Sequence, residues 1–151
     1  KNTAQANAVV KARMDKELAL LKEQMAKYYK PAKLFFALKS YPENNNKLPS
    51  LSERYTTLVH GTGAKRGNVW VYIDHSPNQL KTEKLLILVD KQSFTGVYKK
   101  YKDHSLTVNS NSSAAYFDFN FYDVGTYRVK IFSEEGVLMA TNTLQMKPNR
   151  S

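Results

Sequence analysis

Cysteine is absent from all 151 residues, which removes disulfides, thiolate metal sites and cysteine nucleophiles together. It leaves the compartment open, because cytosolic proteins and bacterial envelope proteins can both lack it. No stretch approaches the roughly 18 consecutive apolar residues that a membrane span requires. Acidic residues are short in number, 13 against 23 Lys and Arg, and the net charge is +10. A field of that sign attracts polyanions and anionic surfaces. The basic residues are dispersed, however. Their densest cluster, Lys99, Lys100 and Lys102, alternates with Tyr98 and Tyr101 and is too short for a nucleic-acid tract. The chain opens at Lys1 in place of Met, the start expected of a processed or trimmed chain.

Glycine and proline are missing between Thr3 and Lys30, where Ala, Leu, Lys, Glu and Gln dominate. These are strong helix formers. Val10, Met14, Leu18, Leu21, Met25 and Tyr28 recur at intervals of 4, 4, 3, 4 and 3 residues, which places them in one stripe on a helix. Lys11, Lys16, Glu23 and Lys27 lie off that stripe. The apolar line either packs on the domain's own sheet or meets a partner. Its length, about 27 Å at 1.5 Å per residue, exceeds what a small sandwich easily covers.

Pro31 interrupts this helix. The segment "PAKLFFALKSY" reads two ways. Pro at the first position suits a second short helix, the expectation adopted, while Leu34-Phe35-Phe36 would suit a buried strand. "PENNNKLPS" is an exposed linker by composition. The chain therefore divides into a helical arm (1–41), a linker (42–50) and a β domain (51–151). In the last of these the apolar period changes to two. "ERYTTLVH", "VWVYI", "KLLILV", "GVYKKY" and "LTV" read as strands, and "VWVYI", apolar on both faces, as a central one. Ala115, Phe117, Phe119 and Phe121 alternate with Tyr116, Asp118, Asn120 and Tyr122, the pattern of a strand covered on one side. Ten tyrosines and seven phenylalanines agree with extensive β structure.

The clearest pattern is "FYDVGTYRVKIFSEEGVLMATNTLQM" (121–146). Gly125 can take a positive φ at a tight corner. Asp123 suits a turn. Tyr127, Val129 and Ile131 then point one way, Arg128 and Lys130 the other. A buried tyrosine needs a partner for its hydroxyl, and the corner just upstream offers backbone. "SEEG" closes a hairpin, after which Leu138, Ala140, Leu144 and Met146 continue the inner face. This D-x-G-x-Y corner resembles the tyrosine corner of immunoglobulin-like and fibronectin-type sandwiches, over roughly residues 67–147. Val129 stands where antibody-type domains carry their second cysteine, and no first cysteine exists. The resemblance is therefore to a generic Ig-like antiparallel sandwich of the sort found in bacterial envelope proteins. It implies a scaffold for binding and assembly, and no chemistry.

Residues that could carry chemistry are few. Asp74-His75-Ser76 and Asp103-His104-Ser105 contain the residue types of a hydrolytic triad, but neighbours on a strand point to opposite faces and cannot converge. No G-x-S-x-G elbow accompanies them. Both tripeptides are expected in turns. His60, His75 and His104 lack metal-ligand spacing and are expected in exposed loops. "GTGAKRG" (61–67) lacks the order of a phosphate loop.

The reading is a mainly β protein: an Ig-like sandwich behind a long amphipathic helix, without enzymatic activity, cofactor or metal. Its expected role is a protein-interaction or structural assembly module, exported to the periplasm or surface of a bacterial cell. Partner-binding candidates are Met14, Leu18, Leu21, Met25 and Tyr28 on the helix and the outward tyrosines Tyr116 and Tyr122, since Tyr is enriched at interfaces. The partner is another protein or a second copy; nucleic acid is not expected. The rival is a polyanion- or carbohydrate-binding surface made of Lys65, Arg66, Lys99, Lys100, Lys102, Arg128 and Lys130.

Overall fold

A computed structural model describes residues 3–38, 48–60 and 67–148. Among these, helix α1 (Thr3–Tyr28) precedes nine strands: β1 (Lys33–Ala37), β2 (Arg54–Tyr55), β3 (Thr57–Val59), β4 (Asn68–Asp74), β5 (Lys84–Gln92), β6 (Tyr98–Thr107), β7 (Ala114–Asn120), β8 (Gly125–Ser133) and β9 (Leu138–Lys147). They form two sheets, ordered β2-β1-β4-β7 and β3-β9-β8-β5-β6. All pairings are antiparallel except β3 with β9. The chain is mainly β with an N-terminal helix, and the two sheets make an Ig-like sandwich.

Alternation builds the interior. Val69, Val71 and Ile73 of β4, Leu85, Ile87 and Val89 of β5, and Tyr127, Val129 and Ile131 of β8 are all buried between the sheets. "VWVYI" is apolar on both faces because its other residues, Trp70 and Tyr72, belong to a second cluster outside the sheet, with Phe35 and Ala37. β4 is accordingly an inner strand, flanked by β1 and β7.

The corner at the start of β8 forms as its sequence requires. Gly125 has φ +149°. The Tyr127 hydroxyl donates to the Asp123 backbone carbonyl at 2.5 Å. Its ring is fully buried and meets Phe121 and Tyr101 edge-on, at 5.0 and 5.2 Å. Burial raises the Tyr127 phenol above its usual range, and burial likewise pushes Tyr29 from 10.0 up to about 12. Unfolding releases both to ionise near 10.0, so their contribution to stability is intact below pH 10 and falls away as pH climbs toward 12. In a titration of tyrosinate absorbance these two should contribute a late step that coincides with alkaline unfolding. Tyr29→Phe and Tyr127→Phe should each remove part of that late step; an unchanged late step in both would contradict the burial.

Several expectations are corrected. Residues 33–37 form a strand, not a second helix. β1 lies between β2 and β4, with Leu34 and Phe36 facing the core and Phe35 and Ala37 the outer cluster. A helix could not have filled both sites. The sandwich thus begins before the linker, and Tyr29 already belongs to its core. "GVYKKY" and "LTV" are parts of one strand, β6, so Asp103-His104-Ser105 lies within a strand and not in a turn. "ERYTTLVH" divides between the two sheets as β2 and β3. Leu138 faces outward because the register shifts opposite Ile131 and Phe132, which turns Met139 inward.

Candidate interaction surfaces

Helix α1 is 26 residues long, about 39 Å at 1.5 Å per residue. Among its described side chains, those of the last turn pack on the sandwich. Met25 and Tyr28 pack partly against the core, and Tyr29, just past the helix, is buried in it. The Tyr28 hydroxyl donates to the Gln79 carbonyl at 2.7 Å and that of Tyr29 to Leu80 at 2.5 Å. His75 completes the anchor, with Nε2 2.8 Å from the Tyr28 carbonyl oxygen and Nδ1 2.9 Å from that of Gln79. A neutral ring donates to one of these acceptors and an imidazolium to both. Lys81 lies over the Tyr28 ring at 4.5 Å. The sequence hid this anchor, because its parts lie about fifty residues apart; the pair Tyr28-Tyr29 beside Pro31 was the available signal.

Beyond the anchor the helix is exposed. Val10, Met14, Leu18 and Leu21 keep 50–62% of their surface in water. Of the five helix candidates, then, Met14, Leu18 and Leu21 are free, while Met25 and Tyr28 are partly used by the sandwich.

Tyr116 and Tyr122 occupy different settings. On the outer face of the four-stranded sheet, Arg54, Phe35, Tyr72 and Tyr116 form a row across β2, β1, β4 and β7. The Arg54 guanidinium lies 3.8 Å from the Phe35 ring centre, and Phe35–Tyr72 and Tyr72–Tyr116 stack at 5.2 Å each. Trp70 meets Tyr116 edge-on at 5.7 Å. Both faces of Tyr72 are therefore covered, which removes it as a platform for a sugar ring. Tyr122 is separate, exposed beyond β7 and edge-on to His60 at 6.2 Å.

The basic candidates do not form one surface. Lys65 and Arg66 lie outside the described residues. Lys100, Arg128 and Lys130 share the outer face of the five-stranded sheet, whereas Lys99 and Lys102 alternate to the other side of β6. Arg128 is engaged by Asp90 at 3.1 Å and by the Tyr98 ring at 4.2 Å. Lys100 sits 2.6 Å from Asp103. β6 is an edge strand, and lysines on an edge discourage pairing with other chains. That accounts for Lys99, Lys100 and Lys102 without a polyanion.

Two histidines depart from expectation in part. His75 is buried in the anchor, whereas His104 is exposed as expected but lies in strand β6 in place of a loop, stacked on Phe119, where partial desolvation lowers its proton affinity. Asp103 and Ser105 project to the opposite side from His104, so the tripeptide does not converge. Among the described residues no group of three or more His, Cys, Asp or Glu could hold a metal ion, and no helix is long and apolar enough to cross a membrane.

No protein-family model matches this chain, and no curated protein does. Among solved structures it is similar to the PmoD soluble domain from Methylocystis sp. ATCC 49242 (Rockwell), at 12% identity and TM-score 0.45, covering 76% of this chain and 90% of that one. It is also similar to an immunoglobulin-like protein from Pseudomonas aeruginosa, at 13% identity and TM-score 0.45 over 78% and 92%. A superoxide reductase (neelaredoxin) from Ignicoccus hospitalis follows at 7% identity and TM-score 0.37 over 63% and 75%. Likeness of this degree transfers no activity, metal or partner.

Proposed function

We propose that this protein is a non-enzymatic interaction or assembly module: a sandwich that carries a projecting helical arm as its contact surface. The observation that carries this reading is the exposed line Val10, Met14, Leu18 and Leu21 on a helix held at one end only. Leaving several large apolar side chains in water forgoes about 1.5–3 kcal/mol each relative to burial, which a partner would recover. The non-enzymatic part rests on how the titratable groups are used. His75 fastens the arm, His104 stacks on phenylalanine, and Asp90 pairs with Arg128. An extracytoplasmic, bacterial envelope setting rests on the resemblance of the tyrosine-corner sandwich to such proteins, and a subunit of a larger envelope assembly is the role that fits.

A photo-crosslinking residue at Leu18, introduced into the full chain in cells that make it, tests this. The expected result is adducts larger than the chain itself, recovered with the envelope fraction. Leu18→Asp with Leu21→Asp should abolish them while shifting the melting temperature of the purified chain by less than about 4 °C, since each exposed substitution stays within about 0.5 kcal/mol. Absence of adducts, or a large fall in melting temperature, would make the arm a cover for the chain's own sheet.

A further inference from the structure

The exposed part of α1 carries a charge pattern as well as a stripe. Written in heptads, Met14 and Leu21 fall at d, Leu18 and Met25 at a, with Lys11 at the preceding a. Asp15 and Lys22 then occupy e, and Val10, Glu17 and Gln24 occupy g. Leu21 is the last exposed seam residue, because Met25 and Tyr28 lean on the core. The free seam therefore runs from Val10 to Leu21.

We infer that the partner of this seam is α1 of a second copy of the chain, lying parallel and in register, with Glu17 of each copy facing Lys22 of the other. This names the partner in the reading above and rests on it. In a parallel pair a g residue faces the e residue five positions further on in the other helix. Glu17 and Lys22 meet that spacing, giving two opposite-charge contacts around the Leu18 and Leu21 layers. The remaining g–e contact, Val10 with Asp15, sets no like charges together, while Lys11 at a meets Lys11 of the second copy, one polar layer that fixes register at a cost in stability.

An antiparallel pair does not fit. One register seats Met14 on Met25 of the second copy, which already packs against its own sandwich. Sliding outward to avoid that brings Asp15 to Asp15 and Glu17 to Glu17. The charges that border the stripe, Lys11, Asp15, Glu17 and Lys22, sum to zero, so they add no attraction to an anionic membrane surface. A two-fold pair, whichever way its helices run, is the commonest symmetry for a homo-oligomer. The seam is short, so the pair should be concentration-dependent, with both sandwiches at one end.

The chain's lack of cysteine allows a clean test. Full-length Leu18→Cys and Leu21→Cys chains, carrying tags of different mass, are mixed under mild oxidation. The expected products join position 18 to 18 and 21 to 21. Products joining 18 to 21 would overturn the parallel arrangement. Sedimentation provides a second measure: Glu17→Lys and Lys22→Glu should each weaken self-association roughly tenfold, since two attractive contacts become repulsive at a factor of about two for each change. Combining the two should restore it, and an unrestored double variant would overturn the register. A chain that stays monomeric at all concentrations, or that binds phosphatidylglycerol vesicles as a monomer, overturns the second copy as partner. The Leu18 photo-adducts separate the two claims. Adducts of a mass other than two chains would overturn this inference and leave the arm a contact surface, while no adducts would overturn both.

Discussion

Gly67→Ala should destabilise the sandwich by about 3 kcal/mol or more, beyond the usual cost of a strained φ because a backbone clash is added. Gly67 has φ +83°, which disfavours any side chain. A Cβ there would also lie 2.4 Å from the carbonyl oxygen of Phe121 and 2.8 Å from its carbonyl carbon. Neither atom can move alone, because the Phe121 N–H donates to the Gly67 carbonyl at 2.8 Å and locks the two backbones together. Pushing them apart would shift Phe121, fully buried against Phe36 and Tyr127, and with it the tyrosine corner. Gly125→Ala makes the instructive comparison. Its Cβ would come within 2.8 Å of Lys91 Cε, the far end of a flexible side chain that can swing away. Only the strain at φ +149° remains, about 1–2 kcal/mol. At this size each kcal/mol moves the melting temperature by about 2–4 °C. Thermal melts should therefore rank wild type, Gly125→Ala and Gly67→Ala in falling order. Equal melting of wild type and Gly67→Ala would mean that the close approach does not exist.

Gly67 also shows where the sequence was legible and where it was not. Within "GTGAKRG" it suggests a phosphate loop at most, because its real constraint is a carbonyl fifty-four residues away. Local patterns fared better. The period-two runs gave β4, β5, β7 and β8, and D-x-G-x-Y gave the corner, since each depends on neighbours in the chain. "PAKLFFALK" misled for the opposite reason. Its residues favour helix locally, but the sandwich offers sites on both sides of a strand, and burial of Leu34, Phe35 and Phe36 outweighs propensities worth tenths of a kcal/mol each. The break read between Tyr101 and Leu106 was polarity mistaken for a turn. An edge strand has no pairing neighbour on one side, so Lys102, Asp103 and Ser105 can stay solvated within it.

The candidate surface was legible in the same uneven way. The stripe from Val10 to Tyr28 is read directly from spacing. Where it stops being free is not, because that depends on Gln79, Leu80 and His75 closing on the last turn. Charge counting likewise placed Arg128 and Lys100 in a basic patch, whereas Asp90 and Asp103 stand beside them. Those pairings arise from strand register across β5, β6 and β8 and from one local contact within β6.

A chain beginning at Gln24 should fold, and a chain beginning at Ser50 should not. The first loses helix whose described side chains are exposed and keeps Met25, Tyr28 and Tyr29 with the contacts to Gln79, Leu80 and His75. The second loses Tyr29, Leu34, Phe35, Phe36 and Ala37, all buried. The four large side chains among them account for roughly 6–12 kcal/mol at about 1.5–3 kcal/mol each. That is comparable to the entire stability of a domain, about 5–15 kcal/mol. Polar costs add to this. With β1 gone, β4 becomes a sheet edge with unpaired backbone groups, and the Asn142 side-chain amide loses the Leu34 carbonyl it reaches at 2.8 Å. Urea denaturation should give one cooperative transition for the chain starting at Gln24, close to the full-length midpoint, and none for the chain starting at Ser50. Should the shorter chain also unfold cooperatively, β1 would be an attachment to the sandwich and not one of its inner strands. Should the longer one fail, α1 would support the sheet along its length, and the exposed line from Val10 to Leu21 would lose its claim as a contact surface.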